Sequence, residues 1–224
     1  MNMKKIISFF IVACCAMCAT AAKVVWQIGV ADNSGTELAL GPSEYKKFLA
    51  HDFGYEDRYF LVGTSVDKND FPYVLPGPDD TWGGTWSTSG WRTHDANILF
   101  GIKKLPKHGK WKLVVDLVDA NPSRSVVKVM VNSAEKKFEI KGHSKGVLEG
   151  NLQDAKEQIL EFPISADDLK KGGNMVTVSV LEGGWIVFDQ IRLEGADELV
   201  LEKNNEYAFL RNVAPAEYEM EMDG

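Results

Sequence analysis

The chain has 224 residues with 25 Lys and Arg against 32 Asp and Glu, a formal net charge of -7. Such an acidic balance gives no electrostatic footprint for nucleic acid, so no nucleic-acid partner is expected. All three cysteines, Cys14, Cys15 and Cys18, lie near the N-terminus, which leaves the rest of the chain without disulfides and dependent on one good-sized hydrophobic core.

Taken from the start, Lys4 and Lys5 form a short basic region, Ile6 to Val12 is apolar, and Ala19-Thr20-Ala21 is an A-x-A-like cleavage site. That pattern predicts a signal peptide over residues 1–22 and an exported protein, periplasmic or secreted. The apolar run is too short to span a membrane, and no transmembrane segment is expected later. As an alternative, Ile11-Val12-Ala13-Cys14 has the form of a lipoprotein box that would anchor the chain through a lipid on Cys14. Loss of the leader removes two lysines and brings the charge to -9. A local basic patch could still meet an acidic sugar, because net charge does not set the local field.

The body reads as β. Val24 to Gly29 is an extended run. Ser43, following Pro42, is placed as the N-cap of a short helix with Tyr45, Phe48 and Leu49 on one face, ending near His51 to Gly54. Tyr59 to Gly63 and Ala96 to Ile102 are strands. Trp111, Leu113, Val115 and Leu117 then alternate with Lys112 and Asp116, and Val127, Val129 and Val131 with Lys128 and Met130. Leu160, Phe162 and Ile164 alternate in the same way, as do Val176, Val178 and Val180. Trp185, Val187, Ile191 and Leu193 close the series. This period of two is that of sheets with one buried face. Between them, Ser165-Ala166-Asp167-Asp168 caps a single helical turn stopped by Gly172-Gly173. Many short strands separated by turns predict an all-β sandwich with short helical turns. After Gly195 the pattern decays into an acidic stretch, residues 196–224, read as a tail or a connector to a downstream domain.

One segment breaks the pattern. Phe71 to His94, FPYVLPGPDDTWGGTWSTSGWRTH, holds Trp82, Trp86 and Trp91 with Tyr73, Arg92 and His94, and its prolines and glycines exclude a regular helix or a central strand. Aromatics on a stiff loop suit stacking against flat ligand faces, sugar rings among them. The same tryptophans could instead cap the core and hold the loop down. Trp26, Trp111 and Trp185 sit in strand patterns and are assigned to the core.

Three stretches carry a family resemblance: WQIG at Trp26 to Gly29; ILFGIKKLPKHGKWKLVVDLVDA at Ile98 to Ala120, with the strand ending in VMVN at Asn132; and FPISADDLKKGGNMVTVSVLEGGWIVFDQIRLEG at Phe162 to Gly195. Together they resemble the galactose-binding-like, carbohydrate-binding-module-like domain of rhamnogalacturonan lyases, polysaccharide lyase family four, found also in Bacteroides-type polysaccharide-degrading proteins. The resemblance implies a jelly-roll β-sandwich over residues 23–195. It also implies a non-catalytic role, with a poly- or oligosaccharide of the pectin or rhamnogalacturonan type as partner and a catalytic domain or enzyme of the same system as a second one.

The candidate carbohydrate-binding residues are Tyr73, Asp79, Asp80, Trp82, Trp86, Trp91, Arg92 and His94. The tryptophans would stack on a pyranose, the acids and His94 would bond hydroxyls, and Arg92 would clamp a uronate carboxylate. Two other functions stay open: a docking domain of a larger lyase or glycoside hydrolase that binds no sugar, and a small lyase or hydrolase using the loop as its cleft. For the latter, Asp79, Asp80, Asp95 and Asp189 are the available carboxylates, but spacing alone assigns no catalytic pair. His51, His94, His108 and His143 show no metal-ligand spacing, and no cofactor is expected. The turns Asp32-Asn33-Ser34-Gly35 and Asp67-Lys68-Asn69-Asp70 have the oxygens for a structural calcium, although such runs are also ordinary turn formers. Asp189 is read as a structural hydrogen-bond acceptor.

Overall fold

The computed structural model describes residues 22–50, 58–84 and 94–203. Eleven strands are found among them: β1 (Lys23–Gly29), β2 (Arg58–Leu61), β3 (Val74–Leu75), β4 (Asp95–Lys104), β5 (Lys110–Ala120), β6 (Arg124–Val131), β7 (Ala134–Lys141), β8 (Gln158–Ser165), β9 (Gly172–Glu182), β10 (Ile186–Gly195) and β11 (Val200–Glu202). They form two sheets. The first runs β1-β10-β5-β8, with β3 continuing the β1 side of β10; the second runs β11-β4-β9-β6-β7, with β2 beside β4. All pairings are antiparallel except β2 with β4. The β-sandwich expected from the alternation, with the jelly-roll form that the family resemblance implied, is the fold observed.

Its core follows the pleat. Trp111, Leu113, Val115 and Leu117 on β5 face Ile98, Phe100 and Ile102 on β4 and Val176, Val178 and Val180 on β9, all buried in one cluster. Trp26 and Phe100 meet across the sheets at 5.4 Å, and Trp185 is also buried, as the strand patterns required of the three core tryptophans. One side is closed by a lysine: Lys136 on β7 donates from Nζ to the Glu161 carbonyl of β8, linking the two edge strands.

Several expectations change in detail. Among the described residues the helix from Ser43 is absent: Ser43 has φ 90°, outside the extended backbone of an N-cap, and a 3-10 turn at Tyr45–Lys47 takes its place, while the expected end at His51 to Gly54 lies outside the described residues. Gly172 and Gly173 do not stop a helix but begin β9, opposite Ile102 and Gly101. The turn before them is 3-10, Ala166–Asp168, and the Asp168 carboxylate accepts from both the Ser165 N–H and its hydroxyl. The sandwich also takes in the first part of the acidic C-terminal stretch, since Leu201 and Glu202 pair with Ile102 and Gly101. Strand β7 was not evident from the sequence. Among the described residues no helix is long and apolar enough to cross a membrane.

Candidate functional site

The strands bring two sets of connections to opposite ends of the sandwich. One end collects the connections β1–β2, β3–β4, β5–β6, β7–β8 and β9–β10, and so receives the tryptophan segment. That segment is bound down at its start. Val74 and Leu75 pair with Val187 and Ile186, and Asp79 N–H donates to the Gly183 carbonyl at 3.1 Å. At Gly77 a Cβ would come within 2.4 Å of the carbonyls of Gly183 and Gly184, so only glycine lets the two turns touch.

Above this base stands Trp82, half-buried. It lies nearly perpendicular to Tyr45 (centroids 5.0 Å apart, 78°) and to Phe48 (6.1 Å, 80°), a favoured arrangement of ring edges and faces. Asp80 lies beneath it: the buried carboxylate accepts the Gly77 N–H at 2.9 Å, and the Trp82 indole N–H favours its charged form. Burial, with the charge of Asp79 added, pushes the Asp80 carboxyl up to about 6 in spite of those two donors. Beside Trp82, Tyr45 donates to the exposed Glu149 at 2.9 Å and Lys46 lies 5.5 Å from the Tyr45 ring.

The structure thus brings Trp82, Asp79 and Asp80 together, with Asp79 exposed and Asp80 buried. Tyr73 and His94, expected to meet a ligand, are closed inside instead, at 1% and 2% exposure. Tyr73 follows an isolated bridge of Pro72 to Ala39 and enters β3, so its ring points into the core and its hydroxyl donates to the Leu148 carbonyl at 3.1 Å. His94 opens β4, packs on Phe48 at 5.3 Å and uses Nε2 to meet the Gly83 carbonyl. Both residues support the site from beneath and offer a ligand no surface. Trp86, Trp91 and Arg92 lie outside the described residues. Tyr45, Lys46 and Glu149 join the site without having been foreseen. Tyr45 carried the signal of a helix face, and Glu149, 104 residues further on, carried none.

Against known families, residues 24–193 match the model of the CBM-like domain III of polysaccharide lyase family 4. The chain belongs to this family. No curated protein matches it. Among solved structures, a family 35 carbohydrate binding module from an environmental isolate aligns at 15% identity over 50% of this chain and 72% of the module, with a TM-score of 0.35. CBM35 from Cellvibrio japonicus Abf62 aligns at 14% identity over 51% and 72%, TM-score 0.35. The family GH115 4-O-methyl-α-glucuronidase BtGH115A, described as having specificity for decorated arabinogalactans, aligns at 18% identity over 46% of this chain, which spans 13% of that enzyme, with a TM-score of 0.31.

In this domain III the other acids singled out in the sequence are engaged locally. Asp32 accepts from the Ser34 N–H and hydroxyl, Asp67 from the Gly29 N–H, and Asp70 from the Val66 N–H. Asp189 is fully buried at a bulge between Phe188 and Gln190, which turns its Oδ1 onto the Ser34 N–H at 3.0 Å. Among the described residues no three His, Cys, Asp or Glu side chains are grouped to hold a metal ion.

Proposed function

We propose that this domain is the non-catalytic glycan-binding part of an exported system that degrades pectin-type polysaccharides, with Trp82 as the stacking platform. The observation that carries the reading is the mounting of Trp82. An indole braced by two perpendicular rings has little rotamer freedom left to lose, so a sugar would find it pre-organised. Asp79 and Glu149 flank it with exposed acceptors for hydroxyls, and selectivity would come from those polar groups rather than from the ring. Membership of a carbohydrate-binding-like family supports the ligand class, and the leader-like N-terminus supports export.

Affinity electrophoresis in gels containing rhamnogalacturonan or galactan tests it. The wild-type domain is expected to be retarded, and Trp82→Ala to weaken retention on galactan at least tenfold, as loss of a central aromatic anchor costs about 2 kcal/mol. Asp79→Ala, on an exposed residue, is expected to weaken it several-fold without touching the fold. Retention unchanged in both variants, or no retention of the wild type on either gel, overturns the reading.

A further inference from the structure

The opposite end of the sandwich carries the reverse charge. It is formed by the strand ends and connections β4–β5, β6–β7, β8–β9 and β10–β11 together with the start of β1. Seven lysines gather there: Lys23, Lys103, Lys104, Lys107, Lys110, Lys170 and Lys171. All seven are exposed. The connections supply four carboxylates, Asp167, Asp168, Asp197 and Glu198, and the strand ends add Glu135 and Glu194, a local charge of +1 in a chain of -7. Three of the four in the connections are occupied: Asp168 caps Ser165, Asp197 accepts the Lys110 N–H, and Glu198 pairs with Lys104. The other six lysines make no ion pair among the described residues.

These lysines stand on a braced frame. Asn174, 2% exposed, holds Lys170 by both backbone groups, accepting its N–H at 3.0 Å and donating to its carbonyl at 2.8 Å. Asn132 locks Asn174 in turn, donating to its Oδ1 at 2.9 Å. The β4–β9 ladder ends at Ile102–Gly172, and Lys103 and Lys171 are the next residue on each side of it. In the first sheet, Lys23 faces Gly195, whose other neighbour is Trp111, next to Lys110. Like charges gathered at one end repel, and nothing in the core needs them there.

We propose that this lysine end is a second glycan contact, which takes the carboxylates of an acidic polysaccharide. The inference rests on the glycan-binding reading above and adds a place and a ligand chemistry that the tryptophan end does not supply. The described connections of the tryptophan end carry Asp32, Glu37, Glu44, Asp79, Glu149, Asp154 and Glu157 against Lys46, Lys47, Lys145 and Lys156, a net negative charge, so the field along the molecule presents acidic stretches to the lysines and leaves neutral sugars to Trp82. Lysines suit the task. Their flexible, strongly hydrated point charges follow carboxylates that repeat along a chain without demanding one geometry.

The test compares gels of polygalacturonate and of neutral galactan at about 20 mM and about 300 mM salt, where the screening length falls from over 20 Å to about 6 Å. Polygalacturonate is expected to retard the wild type at low salt and at least tenfold less at high salt. The triple variant Lys103→Glu, Lys107→Glu, Lys171→Glu, on exposed positions and checked by circular dichroism, is expected to lose that retardation and keep retention on galactan. Trp82→Ala is expected to do the opposite. Polygalacturonate retention that survives the triple variant, or that equals retention on its methyl-esterified form, overturns the proposal. So does cross-linking of these lysines to the acidic residues 217–223 of the chain with no polygalacturonate retention, which assigns the lysine end to a protein segment. Galactan that fails to retard the wild type, or that retards Trp82→Ala equally, counts against the Trp82 reading and leaves the lysine end standing.

Discussion

Replacing Asp119 by alanine is expected to destabilise the protein by about 4 kcal/mol, more than any other single side-chain truncation outside the aromatic core. Asp119 is the next-to-last residue of β5 and is 0% exposed. Its carboxylate accepts from four backbone N–H groups: Ala120 at 2.8 Å, His143 at 2.9 Å, Ser144 at 2.9 Å and Lys156 at 3.3 Å. Three of these belong to the β7–β8 connection, so one side chain fixes both ends of a sixteen-residue crossing, from Gly142 to Glu157. Alanine would leave four donors without an acceptor in a site too closed for water to replace it, and each unmet donor costs about 1–3 kcal/mol. Relaxation of the connection recovers part of that sum.

The consequence reaches the candidate site. Leu148 and Glu149 lie on the same connection, and they accept the hydroxyls of Tyr73 and Tyr45, the latter beside Trp82. Asp119→Ala should therefore lower the melting temperature by about 8–16 °C and weaken glycan retention, while Asp119→Asn, which keeps one acceptor oxygen, should cost about half as much. A loss below about 1 kcal/mol in urea titration would refute this account of the connection.

Nothing in the sequence marked Asp119. It reads as one more polar residue at a strand end, and its four donors lie up to 37 positions away. The strands were legible for the opposite reason: in β5 the apolar residues Trp111, Leu113, Val115 and Leu117 take the core face at every second position, and that period is written in the chain itself, even though Val114, Asp116 and Val118 between them are buried too. Strand β7 escaped because it is an edge strand. Only Phe138 and Ile140 turn toward the core, while Glu135, Lys136, Lys137 and Glu139 stay in water, which hides the alternation. The candidate site was half legible. Prolines and glycines announced an irregular aromatic segment and located Trp82, Asp79 and Asp80. They could not say that Tyr73 and His94 turn inward, because that is decided by the pairing of β3 with β10 and by the entry into β4, both long-range events. The lysine end was equally hidden, since no two of its connections are adjacent in sequence.

Asp116→Asn is expected to stabilise the protein at neutral pH, by about 1–3 kcal/mol, and to do nothing at about pH 4. Asp116 is 3% exposed on the outer face of β5, and its Oδ1 has no hydrogen-bond partner. Burial, followed by the charges of Glu157 and Asp189, pushes its carboxyl up to about 6, and Arg192, 3.8 Å away, offsets only part of this. Raising a carboxyl from about 4 to about 6 separates its charged and neutral forms by about 3 kcal/mol. The sign follows from linkage. An acid with a higher pKa folded than unfolded binds its proton more tightly in the native state. Its contribution is full below about pH 4 and is lost as pH rises through about 6. Asp80, also at about 6, acts in the same window. Wild-type stability should thus fall between about pH 4.5 and pH 7 by more than its exposed carboxylates explain, and the asparagine variant should flatten part of that slope. Arg192 keeps Glu194 at 2.9 Å and Gln190 at 2.8 Å in either case, so the variant leaves no stranded cation. Urea titrations of both proteins across that range measure the difference directly. A gain that is the same at about pH 4.5 and pH 7.5, or a loss at neutral pH, would show that Asp116 is held by its neighbours rather than strained by them.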